Sequence, residues 1–252
     1  MNIVIIGTGN TATVLGRKFK AAGHHIVQVY GRNGKSASDL AYDLDSESTN
    51  YWAVVNRGAD LYILAVSDIA IEEVVKELQL PEKTIVHTAA SVSKSILENK
   101  ARHFGVFYPL QSLKKGLSHF SDTPIIIDAS DEGTLQLLES LGNTISNTVV
   151  QVNDEDRLKL HLAAVFCNNF VNHIYALMES YCTKENIDFK LLLPLIQETS
   201  SRLSDSNASV AQTGPALRND TATIEKHLDL LSAHPQLKEI YTLFTKSIQH
   251  QL

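Results

Sequence analysis

Two glycines and an alanine near the start of the chain have a spacing that can hold phosphate groups. Gly7, Gly9 and Ala12 form the pattern G-x-G-x-x-A directly after the apolar run from Asn2 to Ile6. The first glycine allows a tight turn, the second lets backbone approach a pyrophosphate, and the small third residue lets a helix pack on the strand. Free N–H groups at the start of that helix favour negative charge. We therefore predict a dinucleotide site lined by Gly7, Thr8, Gly9, Asn10 and Thr11.

The end of the second predicted strand indicates which dinucleotide binds. NAD-specific sites place a carboxylate there, roughly 20 residues beyond the glycines, to accept hydrogen bonds from the ribose hydroxyls. This chain instead has Arg32, which follows Tyr30 and Gly31 and precedes Lys35 and Ser36. A guanidinium matches the geometry of a 2′-phosphate, although a solvated surface arginine is the alternative interpretation. We predict NADP as the cofactor, with Arg32 at its 2′-phosphate, helped by Lys35 and Ser36, and with Asn33 as a further cofactor contact.

Two later strand ends complete the predicted pocket. Ligands of doubly wound sheets bind outside the carboxyl ends of the strands. The apolar runs DLYILAV and TIVHTA predict strands that end near Val66 and Thr88. We expect Val66, Ser67 and Thr88 to line the same site, whereas His87 is expected to lie in the core.

A polar stripe interrupts the apolar face of a later predicted helix. His161, Asn168 and Asn172 lie at i, i+7 and i+11, which places them on one face of a regular helix. Burying such groups without partners costs about 1–3 kcal/mol each, so they either pair within the core or line a cleft. In the second case His161 is a candidate proton donor or acceptor, and Asn168 is a candidate to orient a carbonyl or hydroxyl.

A turn between two predicted helices carries a further cationic candidate. Gly214 and Pro215 break the helical pattern, and Arg218 and Asp220 follow them. Arg218 either holds an anionic group of a substrate as a bidentate clamp or pairs with a carboxylate. Asp220 is predicted to be the N-cap of the helix that contains Thr223.

The order of the elements predicts the fold class. Apolar runs typical of strands alternate with helical patterns through the first 152 residues, which indicates a doubly wound, mostly parallel α/β sheet of the Rossmann type. No convincing strand follows Val152. We predict an NADP-binding Rossmann domain over residues 1–152 and an all-α domain, for substrate binding and dimerisation, over residues 153–252.

Composition excludes several classes of protein. The 252 residues carry a formal net charge of −6, whereas nucleic-acid binders need a dense basic face. The two cysteines, Cys167 and Cys182, have no spacing typical of a zinc site or a disulfide framework. The start of the chain has no signal-peptide pattern, and no apolar run approaches the roughly 20 residues of a membrane span. These features predict a cytoplasmic protein that binds neither nucleic acid nor membrane.

Several motifs together resemble one family. GTGNTA, GRN, AVSD, HTAAS, YPLQSL and TGPALRND are similar to the uncharacterised, proposed NADP oxidoreductases that join a Rossmann-like domain to a helical domain of unknown function. The first half also resembles pyrroline-5-carboxylate reductase, prephenate dehydrogenase and 6-phosphogluconate dehydrogenase. The resemblance, which covers nearly the whole chain, implies NADP binding and a helical half that dimerises and closes a cleft over the nicotinamide. Gln111 and Arg218, in the last two motifs, become candidates for substrate binding.

The chain also departs from its relatives. Related hydroxyacid dehydrogenases place Lys and Asn four residues apart on the first helix of their second domain, but Ala163 stands four residues beyond Lys159. Tyr108 stands in YPLQSL where the family's His is expected. The main hypothesis is an NADP-dependent oxidoreductase that transfers hydride between nicotinamide and a small carbonyl or imine substrate in an interdomain cleft. The alternative is a noncatalytic NADP-binding or sensing protein.

The helical half offers a wide apolar face for a core or for a homodimer interface. On the predicted long helix this face contains Leu158, Leu162, Val165, Phe166, Phe170, Ile174 and Leu177.

Overall fold

The computed structural model describes residues 1–78, 80–116 and 122–250. The chain forms two compact units, Met1–Asn169 and Phe170–Leu252. The change from strands to helices occurs where the sequence predicts it, near Asn153. The first compact unit nevertheless extends to Asn169, so it includes the helix that carries His161.

The first unit is built on one eight-stranded sheet. Its strands are β1 (Asn2–Ile6), β2 (His25–Tyr30), β3 (Glu47–Thr49), β4 (Leu61–Leu64), β5 (Thr84–His87), β6 (His103–Pro109), β7 (Ile125–Ala129) and β8 (Val149–Gln151). The spatial order is β3-β2-β1-β4-β5-β6-β7-β8. All neighbours pair in parallel except β6 and β7, which are antiparallel. This arrangement confirms the predicted mostly parallel, doubly wound sheet.

Helices cover both faces of this sheet. They are α1 (Asn10–Ala21), α2 (Gly34–Leu44), α3 (Asp68–Glu77), α4 (Glu132–Asn143) and α5 (Asp154–Ala164), and a π-helical segment (Val165–Phe170) follows α5. Short 3₁₀ segments cover Trp52–Val54 and Lys94–Leu97. Gly23, with φ of +85°, follows the C-cap of α1 and ends that helix.

Alternating side chains of β1 show how the core is divided. Ile3 and Ile5 pack on one face with Phe19 of α1, whereas Val4 and Ile6 pack on the other. Because successive strand residues point to opposite faces, each strand contributes to two apolar layers. The parallel strands β1, β2, β4 and β5 bring their carboxyl ends to one edge of the sheet, where the predicted ligand residues follow them.

Helices are the only regular secondary structure among the described residues of the second unit. It contains α6 (Val171–Lys184), α7 (Leu193–Ser201), α8 (Ala208–Ala211), α9 (Thr221–Leu230) and α10 (Pro235–Gln249), with 3₁₀ segments at Phe189–Leu192, Arg202–Ser204 and Leu231–Ala233. Asp220 caps α9, because its Oδ1 accepts a hydrogen bond of 3.1 Å from the backbone N–H of Thr223. The predicted N-cap is therefore confirmed.

Some element ends differ from the sequence prediction. The helical pattern of the sequence predicts a helix from about Ile69 to Leu80, but α3 ends at Glu77, and Leu78 already has an extended backbone. The sequence does not predict the short strand β3, because its three residues carry no alternating apolar pattern. For the last helix the pattern predicts residues Pro235 to Gln251, and Gln251 lies outside the described residues. None of the helices in the described part of the chain is long and apolar enough to cross a membrane.

Candidate active site

A cavity of about 730 Å³ opens at the carboxyl ends of β1, β2, β4 and β5. Its volume lies in the range of small-molecule and cofactor sites. Ten of the residues predicted to contact the dinucleotide line this one cavity, whereas Lys35 and Ser36 do not. The ten are Gly7, Thr8, Gly9, Asn10, Thr11, Arg32, Asn33, Val66, Ser67 and Thr88. The sequence prediction thus places its cofactor residues together, and their binding roles stay predictions.

The turn between β1 and α1 has the shape that a pyrophosphate needs. Gly7 has φ of +126°, and an added Cβ would lie only 2.2 Å from the backbone oxygen of Ala65. Gly9 precedes α1 as its N-cap, and nothing lies within 4 Å of the position where its Cβ would be. The first turn of α1 contains no acidic residue. A diphosphate could therefore reach the free N–H groups at the start of α1, and no negative charge on that turn would repel it.

The side of the cavity where the sequence predicts a 2′-phosphate has contacts that the sequence does not indicate. Arg32 lines the cavity, but its Nη1 lies 3.6 Å from Oε2 of Glu73 on α3. Asn33 is the N-cap of α2, since its Oδ1 accepts a hydrogen bond of 2.9 Å from the backbone N–H of Ser36. The side-chain oxygen of Asn33 therefore caps a helix, and the residue also lines the cavity. Lys35 is not among the lining residues.

Sequence reasoning missed an aromatic wall at this end of the cavity. Tyr30 and Trp52 stack with their ring centroids 3.7 Å apart and their planes inclined by 23°, and both rings line the cavity. Burial raises the pKa of Tyr30, and the charge of Glu77 raises it further. The one available signal was that Trp52 is the only tryptophan of the chain.

At the other end of the cavity a tyrosine meets a histidine. The hydroxyl of Tyr108 on β6 lies 3.0 Å from Nδ1 of His161 on α5, and both side chains line the cavity. Burial, followed by the charge of Asp68, raises the pKa of Tyr108, and Arg157 opposes the shift. The phenol is therefore held in its neutral form. This pair can donate a proton to a molecule bound beside it.

Arg157 fixes the helix that carries His161. Its side chain is 1% exposed and donates from Nε to the backbone oxygen of Ala90 at 3.1 Å and from Nη2 to that of Val92 at 2.5 Å. Nη1 forms an ion pair of 2.8 Å with Asp154. Because Arg157 lies four residues before His161, this anchor holds the same helix face against the loop after β5. The imidazole is thereby positioned beside Tyr108.

A buried histidine adjoins the cavity lining in the chain. His87 ends β5 and is fully buried, as predicted, next to Thr88 of the lining. Burial, and secondarily the charge of Arg157, lowers the pKa of His87 to about 4. The ring is therefore neutral under ordinary conditions.

Three predicted site residues are not among those that line the cavity. Asn168 lies in the π-helical segment, whose wider turn changes the direction of its side chain relative to His161. Gln111 follows β6, and its Oε1 accepts a hydrogen bond of 2.9 Å from the backbone N–H of Ser112. Arg218 belongs to the second compact unit. The catalytic role of Asn168 and the substrate contacts of the other two stay predictions.

Two known families match different segments of the chain. Residues 2–91 match a family described as NADP oxidoreductase, coenzyme F420-dependent, and residues 123–248 match a domain of unknown function, DUF2520. A proposed NADP oxidoreductase from Bacteroides fragilis is 39% identical, with 99% of this chain and 98% of that chain covered and a TM-score of 0.92. No match was found among curated proteins.

More distant solved structures share the fold. A 1-pyrroline-5-carboxylate reductase from Streptococcus pyogenes is 14% identical, with 99% of this chain and 98% of that chain covered and a TM-score of 0.68. An imine reductase from Myxococcus stipitatus, in complex with NADP⁺, is 14% identical, with 99% and 93% covered and a TM-score of 0.66. Its V8 variant is known in complex with NAD⁺.

The chain belongs to the family of NADP oxidoreductases that join a Rossmann-like domain to the DUF2520 domain. The resemblance found in the sequence motifs is thereby confirmed.

Proposed function

We propose that the protein is an NADP-dependent oxidoreductase that reduces, or forms, a small carbonyl or imine compound. The observation that carries the proposal is that the Tyr108 and His161 pair lines the same cavity as the phosphate cradle of Gly7 and Gly9. One cavity thus joins a dinucleotide site to a proton donor, which are the two parts that such a reduction needs.

The residues divide the chemistry between them. The turn of Gly7 and Gly9 would hold the dinucleotide, which when bound would supply the hydride for the substrate carbon. Tyr108 donates its phenolic proton to the oxygen or nitrogen that gains the electron pair. Nδ1 of His161, 3.0 Å from the same hydroxyl, donates a hydrogen bond to the phenolate and passes a proton to it, and the imidazole takes up the replacement proton from solvent. Burial, followed by the charge of Asp68, raises the pKa of Tyr108, so the phenol keeps its proton until the substrate takes it.

A substrate panel tests this function. We expect loss of NADPH absorbance with at least one carbonyl or imine compound, and His161→Gln should reduce this turnover while leaving NADPH affinity unchanged. Asn168→Ala is the matched variant on the same helix, and it tests whether the predicted orienting role exists. Tight NADPH binding without turnover of any compound would favour the noncatalytic, sensing alternative.

Arg32 supports NADP as the preferred dinucleotide. Arg32→Ala should weaken NADPH binding by the roughly 1.5–3 kcal/mol of a hydrogen bond to a charged group, which is about 10- to 100-fold. NADH binding should remain nearly unchanged. Equal losses for both cofactors in calorimetry would refute this assignment of Arg32.

We also propose that the helical unit forms a homodimer. Among its described residues only Cys182 and Ala216 are buried, so the unit encloses little core of its own. Its large exposed apolar side chains include Leu191, Leu193, Leu195, Leu203, Val210, Leu230, Leu243 and Phe244. An obligate homodimer interface resembles a domain core cut in half, and two copies of one surface close an assembly by two-fold symmetry. A second copy is therefore the partner that suits this surface.

Light scattering tests the dimer. The wild-type protein should have twice the 27.8 kDa mass of the chain, and Leu243→Lys on α10 should shift it towards the monomer. Tyr42→Lys is the matched control, because Tyr42 is 89% exposed on the first unit. A monomeric wild-type protein would contradict the proposal.

A further inference from the structure

The arginine predicted to hold the 2′-phosphate is already paired with a carboxylate. Nη1 of Arg32 lies 3.6 Å from Oε2 of Glu73, and both side chains line the cavity. The two side chains are 75% and 70% exposed. A pair so accessible to solvent is held weakly, so a ligand can displace the carboxylate without a large penalty.

A second carboxylate strengthens the negative charge at this end. Glu77 lies one helical turn after Glu73 on α3 and also lines the cavity. The charges of Glu77 and Glu73 both raise the pKa of Tyr30 in the cavity wall, after the larger effect of burial, whereas Arg32 lowers it. Both carboxylates thus act on this end of the cavity. A phosphate dianion that approaches Arg32, which is the only lysine or arginine among the described residues of the lining, therefore meets like charges beside it.

We propose that Glu73 is a specificity-determining residue that competes with the 2′-phosphate of NADPH for Arg32. This inference rests on the proposed function of the cavity. NADPH must separate the pair or share the guanidinium with a carboxylate, so its binding is weakened. NADH carries no 2′-phosphate and avoids this conflict, and its ribose hydroxyls can donate a hydrogen bond to Glu73. The pair therefore narrows the difference in affinity between the two cofactors.

The solvent exposure of the Arg32 and Glu73 pair sets the expected change in NADPH affinity. Exposed ion pairs are weak, and salt screens them further, so Glu73 should change the affinity several-fold rather than several hundred-fold. The competition should also weaken as ionic strength rises. Arg32 itself remains the main contact of the 2′-phosphate, and Glu73 reduces the strength of that contact.

Calorimetric titration of Glu73→Gln with NADPH and with NADH tests the proposal. Glutamine keeps the size of the side chain and removes its charge. We expect NADPH to bind 3- to 10-fold more tightly at low ionic strength, and NADH to bind equally or slightly more weakly. Glu72→Gln is the matched control, since Glu72 is the adjacent residue, pairs with Lys76 at 2.8 Å and is not among the lining residues. The control should leave both dissociation constants unchanged.

The outcomes separate this inference from the proposed function. Unchanged or weaker NADPH binding in Glu73→Gln, together with a loss in Arg32→Ala, would overturn the role of Glu73 and leave the cofactor assignment intact. An equal gain for both cofactors would also overturn it, because the effect would then not involve the 2′-phosphate. Failure of the wild-type protein to bind either dinucleotide would overturn both proposals.

Discussion

Backbone atoms form one end of the cavity, and side chains form the other. At the cofactor end, backbone atoms form the cradle, and the critical residues are the glycines Gly7 and Gly9. At the other end, the side chains of Tyr108 and His161 meet from β6 and α5, 53 residues apart in the chain. A backbone site is sensitive to any added atom, whereas a side-chain site is sensitive to the identity of the functional group. The predictions below use this difference.

The largest expected effect is at the side-chain end. Tyr108→Phe removes the proton donor and keeps the ring, so turnover should fall by the roughly 10²- to 10⁴-fold typical of a general acid. NADPH binding and stability should change little, because the cradle is elsewhere. Steady-state rates and calorimetry measure the two quantities, with the exposed Tyr42→Phe as control. Retained turnover would show that another group donates the proton.

Gly7→Ala should have the next largest effect, and it should act on folding. Its Cβ would lie 2.2 Å from the backbone oxygen of Ala65, at a φ of +126°. Overpacking and backbone strain each cost about 1–3 kcal/mol, so the free energy of unfolding should fall by about 3 kcal/mol. Gly23→Ala separates the two costs, since Gly23 also has positive φ but has no atom within 4 Å of an added Cβ. Equal losses in denaturant titrations would show that the contact with Ala65 costs nothing.

His87, next to Thr88 of the cavity lining, should make stability depend on pH. Its folded-state pKa is lowered to about 4 from an ordinary value of 6.5, so between these values the unfolded state binds more protons. The free energy of unfolding should therefore have its full value above pH 6.5. It should fall by up to about 3 kcal/mol as the pH drops towards 4. His87→Gln should flatten this part of the profile measured by denaturant unfolding, whereas the exposed His25→Gln should not. An unchanged slope in His87→Gln would assign the pH dependence to other groups.

The same difference explains what the sequence could predict. The cradle is local: a strand, a turn and a helix within the first 21 residues fix it, so spacing alone locates its residues. The pairing of Tyr108 with His161 depends on where Arg157 anchors α5, which no local pattern specifies. The same applies to Glu73, whose approach to Arg32 requires α3 to pack beside β2. Asn168 shows a further limit, because a regular helical period places it with His161, whereas the π-helical segment breaks that period.

The prediction with the smallest expected effect on stability compares Gly9 with Gly7 directly. Gly9 has an ordinary φ of −78°, and no atom lies within 4 Å of its added Cβ, so Gly9→Ala should cost less than about 1 kcal/mol in stability as an N-cap change. The methyl group instead lies where the pyrophosphate approaches, and NADPH binding should weaken by roughly 10-fold, or about 1.4 kcal/mol. Calorimetry and denaturant titration on Gly7→Ala and Gly9→Ala should thus give opposite patterns. If Gly9→Ala binds NADPH as the wild type does, the phosphates do not approach this turn, and the cavity holds its ligand in another way.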